Sequence, residues 1–281
     1  MKLIRDPKKI QAALERARQK GRSVGFVPTM GALHEGHVSL VRASNRENDL
    51  TVVSIFVNPT QFGRNEDYTK YPRVLAEDMK KLRSVKVDYL FCPSAAAMYP
   101  QGYATFVEVN PRLTNVLCGK FRPGHFRGVA TVVAKLLSLA GPCRLYLGAK
   151  DFQQATVIDR LVRDLNMAVR VRVMPTVREK DGLAMSSRNR YLNPGDRCRA
   201  LSISRVLLGF KKDLLEKKRA VASLKARAIK ELKKNVDRVQ YLEIVDPGTL
   251  VPVKKHQKRM VALTACFVGK TRLIDNVIIR A

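Results

Sequence analysis

Apolar runs and helix-period stretches alternate through the first 175 residues. Five short runs rich in Val, Ile, Leu or Phe predict strands, at Ser23–Pro28, Leu50–Val57, Val87–Cys92, Arg144–Gly148 and Ala168–Val173. Helical patterns lie between them at Gly36–Glu47, Leu75–Ser84, Val129–Leu139 and Asp151–Leu165. In the third, Val132, Val133, Leu136 and Leu137 keep the i, i+3, i+4 spacing of a core-facing stripe. Such alternation predicts an α/β fold, a parallel sheet with helices on both faces. Ligands in such sheets sit beyond the carboxyl ends of strands, which draws the segments after Pro28, Val57 and Gly148 into one neighbourhood.

The pattern changes near Thr176. A loop-like stretch, Arg178–Asn193, leads to helical stretches at Pro194–Glu216 and Ala220–Lys234, then to strand-like runs at Arg238–Val245, Met260–Val268 and Leu273–Ile279. Helices followed by strands predict a smaller α+β C-terminal domain. The 281 residues agree, since roughly 150 residues per domain suggests two domains. We divide them at 1–176 and 177–281.

Composition narrows the setting. The widely spaced cysteines Cys92, Cys118, Cys143, Cys198 and Cys266 form no C-x-x-C, so neither a zinc ribbon nor a disulfide framework is indicated, and a reducing cytoplasm is expected. No run approaches the ~20 apolar residues of a membrane span, and the opening residues contain no signal-peptide h-region. The formal charge is +29. Residues 177–281 contribute 25 Lys and Arg against 10 Asp and Glu, many of them on the two helical stretches. Runs such as Lys217, Lys218, Lys233 and Lys234 read as solvated helix faces that attract anions without specificity. No aromatic residues interleave with them, so no specific nucleic-acid partner is expected.

Three segments look chemical. Pro28-Thr29-Met30-Gly31-Ala32-Leu33-His34-Glu35-Gly36-His37 follows a strand and opens a helix. Histidines three apart share a face there, beside the phosphate-binding N-terminus, and Gly36 is expected to let a ligand approach the backbone. A metal pair or two incidental capping histidines are the alternatives, although the usual third metal ligand is absent nearby. In Gly148-Ala149-Lys150-Asp151-Phe152-Gln153-Gln154, Lys150 suits phosphate and the Asp151 carboxylate suits ribose hydroxyls or a helix cap. Gln154, a turn further on, offers an amide to a polar substrate. In Asp181–Leu192, Ser186, Ser187 and Arg188 form a plausible phosphate clamp, or else part of a polar linker.

H-x-G-H paired with the serine–arginine loop resembles the nucleotidyltransferases related to class I aminoacyl-tRNA synthetases. Ser54–Gly63, with Asn58 and Gln61, and Arg122-Pro123-Gly124-His125-Phe126-Arg127-Gly128 make the likeness specific. Together with Tyr241–Ile244 and Leu273–Asn276, these segments are similar, over essentially the whole chain, to the pantothenate synthetase (pantoate–β-alanine ligase) family.

The resemblance implies a Rossmann-like N-terminal domain, a C-terminal lid domain and a homodimer. It also implies ATP-dependent condensation of (R)-pantoate with β-alanine through pantoyl adenylate, releasing AMP and pyrophosphate, with Mg2+ on the ATP phosphates and no metal held by the protein. ATP would lie against Met30, Gly31, Ala32, Leu33, His34, Glu35, Gly36 and His37, and against Gly148, Ala149, Lys150 and Asp151. Val177 and Met185 would flank adenine, and Ser186, Ser187 and Arg188 would close over phosphate. His37, His34, Lys150, Ser186, Ser187 and Arg188 would be catalytic. Gln61, Gln154 and Asn58 would hold pantoate, with β-alanine entering at Gln61. Cys118 stands where many members carry Glu, and Ala149 where the residue is often polar.

Overall fold

The computed structural model describes residues 1–63, 66–216 and 219–280. Six strands form one sheet: β1 (Lys2–Ile4), β2 (Val24–Thr29), β3 (Leu50–Ile55), β4 (Tyr89–Phe91), β5 (Cys143–Gly148) and β6 (Val169–Met174). Their spatial order is β1-β4-β3-β2-β5-β6, and every neighbouring pair is parallel. Phe26, Val27, Val52, Val53, Leu145 and Tyr146 are all buried, as expected of apolar runs covered on both faces. The flanking helices include Glu35–Glu47, Leu75–Ser84, His125–Ala140 and Phe152–Asp164. From β2 the chain builds toward β3 and β4, then restarts on the other side at β5. The topological switch point therefore falls between β2 and β5, where open α/β sheets bind ligands.

Most expected elements are present, with shifted ends. The helix anticipated from Val129 starts at His125, because Gly124, at φ +78°, turns the chain into it. The strand anticipated over Val87–Cys92 is confined to Tyr89–Phe91. Elements beyond those expected include the edge strand β1, a helix at Pro7–Gln19 and short helices at Ala95–Met98, Pro111–Thr114 and Leu117–Phe121. The helix Pro7–Gln19 carries a local start signal, for Asp6 accepts from the Lys9 N–H at 2.8 Å and Pro7 takes the first turn.

Beyond residue 177, helices Pro194–Glu216 and Val221–Lys233 pack on an antiparallel sheet of β7 (Arg238–Val245), β8 (Arg259–Val268) and β9 (Thr271–Arg280). Leu183, Ile203, Leu207, Phe210, Leu242 and Met260 belong to a core of their own. Val245, Leu250, Val261 and Leu263 instead join the core beneath the parallel sheet, and so couple the two sheets. The basic helix faces are partly neutralised. Lys225 pairs with Glu243 and Lys234 with Glu231, both at 2.6 Å, and Arg227 pairs with Asp213, whereas Lys212, Lys230 and Lys233 are exposed. Lys217 and Lys218 lie outside the described residues. Among the described residues, no helix is long and apolar enough to cross a membrane.

Candidate active site

The turn after β2 is shaped by a residue far away in sequence. Asp78, buried on helix Leu75–Ser84, accepts from the Ala32 and Leu33 N–H groups at 2.8 and 2.7 Å. Lys81, a turn along the same helix, donates to the Leu33 carbonyl at 2.6 Å. Thr29 Oγ1 accepts from the Gly31 N–H at 3.2 Å. These bonds hold Gly31 at φ +85° and Ala32 at φ +50°, and burial raises the Asp78 carboxyl above the usual carboxylate range. The N–H groups of Gly31, Ala32 and Leu33 are thus already occupied. Among the described residues, those of Glu35 and Gly36 have no protein acceptor and form the open end of the helix.

The two imidazoles stand over that end with centroids 4.0 Å apart. His37 Nδ1 accepts from the His34 backbone N–H at 3.3 Å, so in the neutral ring the proton sits on Nε2. Burial lowers the His37 pKa to about 3, helped by the His34 ring and Lys150. Burial also lowers His34 to about 4, with Lys150 adding to the effect. At neutral pH both rings are therefore uncharged hydrogen-bonding groups rather than cations. His34 Nδ1 is buried with no partner, an opening for a polar ligand. The space at Gly36 accommodates this ring, and Gly36 also lines the cleft. A Cβ there would lie 2.8 Å from His34 Cε1.

The second turn, after β5, is held from the C-terminal sheet. The Asn276 amide on β9 donates to the Ala149 and Lys150 carbonyls at 2.8 and 2.9 Å. Beside it, Asp275 takes both arms of Arg178 at 2.7 and 3.0 Å. Lys150 Nζ lies 3.5 Å from the Asp151 carboxylate. Burial pushes that carboxyl up, but Lys150 and Arg188 outweigh it and hold it below its ordinary value. Asp151 occupies the cap position of helix Phe152–Asp164 yet makes no capping hydrogen bond, so the carboxylate stays at the cleft.

The serine–arginine loop is tied down rather than loose. Ser186 Oγ accepts from the Arg188 N–H at 3.3 Å, and Ser187 Oγ lies 3.3 Å from the Tyr71 hydroxyl. The Arg188 guanidinium donates twice to Asp67, at 3.1 and 2.8 Å. Met185 donates its N–H to the Val177 carbonyl at 3.0 Å, closing the loop base.

The amides form a third wall. Asn58, buried, donates to Gln61 Oε1 at 3.2 Å and to the Gly128 carbonyl at 3.1 Å, while its own oxygen accepts from Tyr99 at 2.7 Å. Gly128 is required here, because a Cβ would sit 2.3 Å from the Thr60 carbonyl oxygen. Gln61 Nε2 donates to the Met30 sulfur at 2.9 Å. Behind it, His125 Nδ1 donates to the Gln61 carbonyl at 2.8 Å, and His125 Nε2 accepts from Arg122 at 3.0 Å. Burial, then Arg122, lowers the His125 pKa to about 4, which keeps that ring neutral. Arg122 is in turn held by both oxygens of Glu66. Gln154 faces the cleft with no protein partner for its amide among the described residues.

One cleft of about 220 Å3 brings together Met30, His34, Gly36, His37, Asn58 and Gln61 with Gly148, Lys150, Asp151, Gln154, Val177, Met185, Ser186, Ser187 and Arg188. Gly31, Ala32, Leu33 and Ala149 do not line it. They act as backbone around it, and Leu33 is core. Glu35 points outward and pairs with Arg42. Sequence reasoning missed Asp78, Lys81, Asp67 and Tyr71, and it gave Asn276 no role. Nothing in local spacing marks partners that lie 46 or 121 residues apart.

Comparisons with known proteins identify the family and the fold. A family model described as pantoate-beta-alanine ligase matches residues 2–278. A pantothenate synthetase of a Sulfurihydrogenibium species is 50% identical over 280 residues, 99% of each chain. Another from Thermodesulfovibrio yellowstonii is 49% identical over 280 residues, 99% of this chain and 100% of the relative. The crystal structure of pantothenate synthetase from Thermus thermophilus superposes with a TM-score of 0.93 at 45% identity, covering 99% of each chain. Pantoate-beta-alanine ligase from Francisella tularensis, complexed with beta-gamma ATP and beta-alanine, gives 0.82 at 38% identity, covering 99% of this chain and 97% of that one. Identity near one half along almost the whole length, on the same fold, places the chain in the pantoate-beta-alanine ligase family.

Proposed function

We propose that the cleft between β2 and β5 carries out both steps of the family's reaction, the ATP-dependent condensation of (R)-pantoate with β-alanine. One observation carries this reading. Two neutral imidazoles, Lys150, Arg188 and an unpartnered amide, that of Gln154, line a single cavity at the switch point. Phosphoryl-type transfer needs mostly positioning and charge stabilisation, and these groups supply both without an enzyme nucleophile.

In the first step the pantoate carboxylate attacks the α-phosphorus and pyrophosphate leaves. The His37 Nε2–H donates to an oxygen of that phosphorus, and His34 and the open N–H groups of Glu35 and Gly36 share the developing charge. Lys150, Ser186, Ser187 and Arg188 hold the phosphates. Asp151 takes the ribose hydroxyls, and Val177 and Met185 flank adenine. Gln154 and Gln61 hold pantoate, with Asn58 fixing the orientation of Gln61. In the second step the β-alanine amine attacks the acyl carbon and AMP leaves.

Mg2+ enters as the counter-ion of the ATP phosphates. Mg2+ commonly binds through substrate phosphates, which fits that role. The same proposal treats residues 1–176 as the ATP- and pantoate-binding domain and 177–281 as its lid. The separate C-terminal core supports that division, and the Asn276 bonds join the lid to the cleft. Five free cysteines support a cytoplasmic setting. The homodimer implied by the resemblance is part of this reading, and sedimentation measures it.

The test of the pantoate wall is Gln154→Ala. Removing its amide is expected to raise the KM for pantoate about tenfold, the value of one or two neutral hydrogen bonds, and to leave the KM for ATP nearly unchanged. Equal weakening of both substrates would move Gln154 off the pantoate site.

A further inference from the structure

The amide wall of the cleft has a polarity that two backbone groups impose. Asn58 is 1% exposed, and its oxygen accepts from the Thr60 N–H at 3.3 Å while its nitrogen donates to the Gly128 carbonyl at 3.1 Å. Neither backbone group can reverse its role, so the amide has one allowed orientation. Its nitrogen also meets Gln61 Oε1, at 3.2 Å, and the Gln61 amino group is thereby turned the other way. Among the described residues that amino group donates to the Met30 sulfur, a weak acceptor, at 2.9 Å. Met30 and Gln61 both line the cleft, so the wall offers a ligand an N–H at Gln61 rather than a carbonyl oxygen.

The oxygen end of the Asn58 amide is held from outside its loop by Tyr99. Thr60, which donates its hydroxyl to Asn58 Oδ1 at 3.0 Å, lies two residues along and moves with the same loop. Tyr99 lies 41 residues away, at the C-terminal end of helix Ala95–Met98. It donates to the same oxygen at 2.7 Å, the shortest of the three bonds. Tyr99 does not itself line the cleft. Other contacts fix its ring: Tyr103 packs edge-on with centroids 4.9 Å apart, Phe56 lies at 6.2 Å, and Lys135 Nζ stands 5.8 Å from the centroid. Burial pushes the phenol above its ordinary value, so the hydroxyl stays a donor through neutral pH. Packing therefore places the ring, and the hydroxyl is left for Asn58.

We infer that Tyr99 is a positioning residue for pantoate, acting through Asn58 to keep the Gln61 amino group aimed at an oxygen of that substrate. The inference rests on the ligase reading above, with Gln61 in the pantoate site. The last torsion of an amide side chain is broad and roughly two-fold, so hydrogen bonds choose its orientation. Without the Tyr99 hydroxyl, the Asn58 oxygen keeps only bonds made within its own loop, and the amide pair can tilt together. Gln61 then presents its N–H to the substrate for a smaller fraction of the time, and apparent affinity falls by that fraction. ATP, held by the turns after β2 and β5, is unaffected.

Tyr99→Phe tests this, with Tyr103→Phe as its companion. Each removes one hydroxyl from the same aromatic stack, and that of Tyr103 makes no hydrogen bond among the described residues. Pantoate-dependent exchange of pyrophosphate into ATP is measured over a range of each substrate. Tyr99→Phe is expected to raise the KM for pantoate about three- to tenfold, the range of one neutral hydrogen bond, with the KM for ATP nearly unchanged. Tyr103→Phe should change neither. Calorimetric titration with pantoate, which needs no turnover, then compares Tyr99→Phe alone and in a Gln61→Ala background. With no amino group left to aim, the second substitution should weaken binding no further. An unchanged KM for pantoate in Tyr99→Phe, an equal rise for both substrates, or a loss that persists in full in the Gln61→Ala background would overturn the assignment. So would a Tyr99→Phe chain that does not fold, because the hydroxyl would then be structural. Absence of exchange in the unmodified enzyme would instead defeat the ligase reading, and this inference with it.

Discussion

His37→Ala is expected to slow pyrophosphate release by about 10²–10³, or roughly 3–4 kcal/mol of transition-state stabilisation, the cost of removing one preorganised donor. The reason lies in the ring's fixed state. Its Nδ1 is committed to the His34 N–H and its pKa lies at about 3, so an Nε2–H donor is present throughout the neutral range without a charge to desolvate. The ring is part-exposed at the wall of the cleft, and the fold should survive its loss. Rapid-quench measurement of pyrophosphate and circular dichroism check the two halves of the prediction. A folded variant with a near-normal first step would remove His37 from the chemistry.

Asp78→Ala should act on the same turn through stability. The carboxylate is 1% exposed and satisfies two buried backbone donors, those of Ala32 and Leu33. Each buried donor left unsatisfied costs about 1–3 kcal/mol, so the pair is worth about 2–6 kcal/mol. At roughly 2–4 °C per kcal/mol for a chain of this size class, the thermal midpoint should fall by about 4–24 °C. Released from Asp78, the left-handed Ala32 has no reason to keep its strained conformation, so adenylation should fall as well. An unchanged midpoint with full activity would show that the turn holds itself.

The contrast between these two residues marks what the sequence could carry. His37 announces itself, since a strand, a glycine turn and a histidine pair are local features read from adjacent positions. Gln154 follows from the same logic, one helical turn beyond a strand end. Asp78 sits in an ordinary amphipathic helix, and its role exists only once that helix packs against the turn after β2. Asn276 reaches back 127 residues to Ala149, and Asp67 meets Arg188 across 121. Gly36 was legible as a necessary glycine, but the His34 ring it accommodates could not be read from the spacing. Among the elements, the helix at Pro7–Gln19 had its start signal in Asp6 and Pro7, yet only Ile10, Ala13, Leu14 and Ala17 of its thirteen residues are buried. The strand β1 is three residues at a sheet edge and offers no alternation to read.

The most direct measurement uses pantoate labelled with 18O in its carboxylate, incubated with ATP, β-alanine and enzyme. Attack on the α-phosphorus, followed by cleavage of the acyl C–O bond, predicts one labelled oxygen in AMP and none in pyrophosphate. Label recovered in orthophosphate, with ADP as the nucleotide product, would mean an acyl-phosphate route and would contradict adenylation in this cleft.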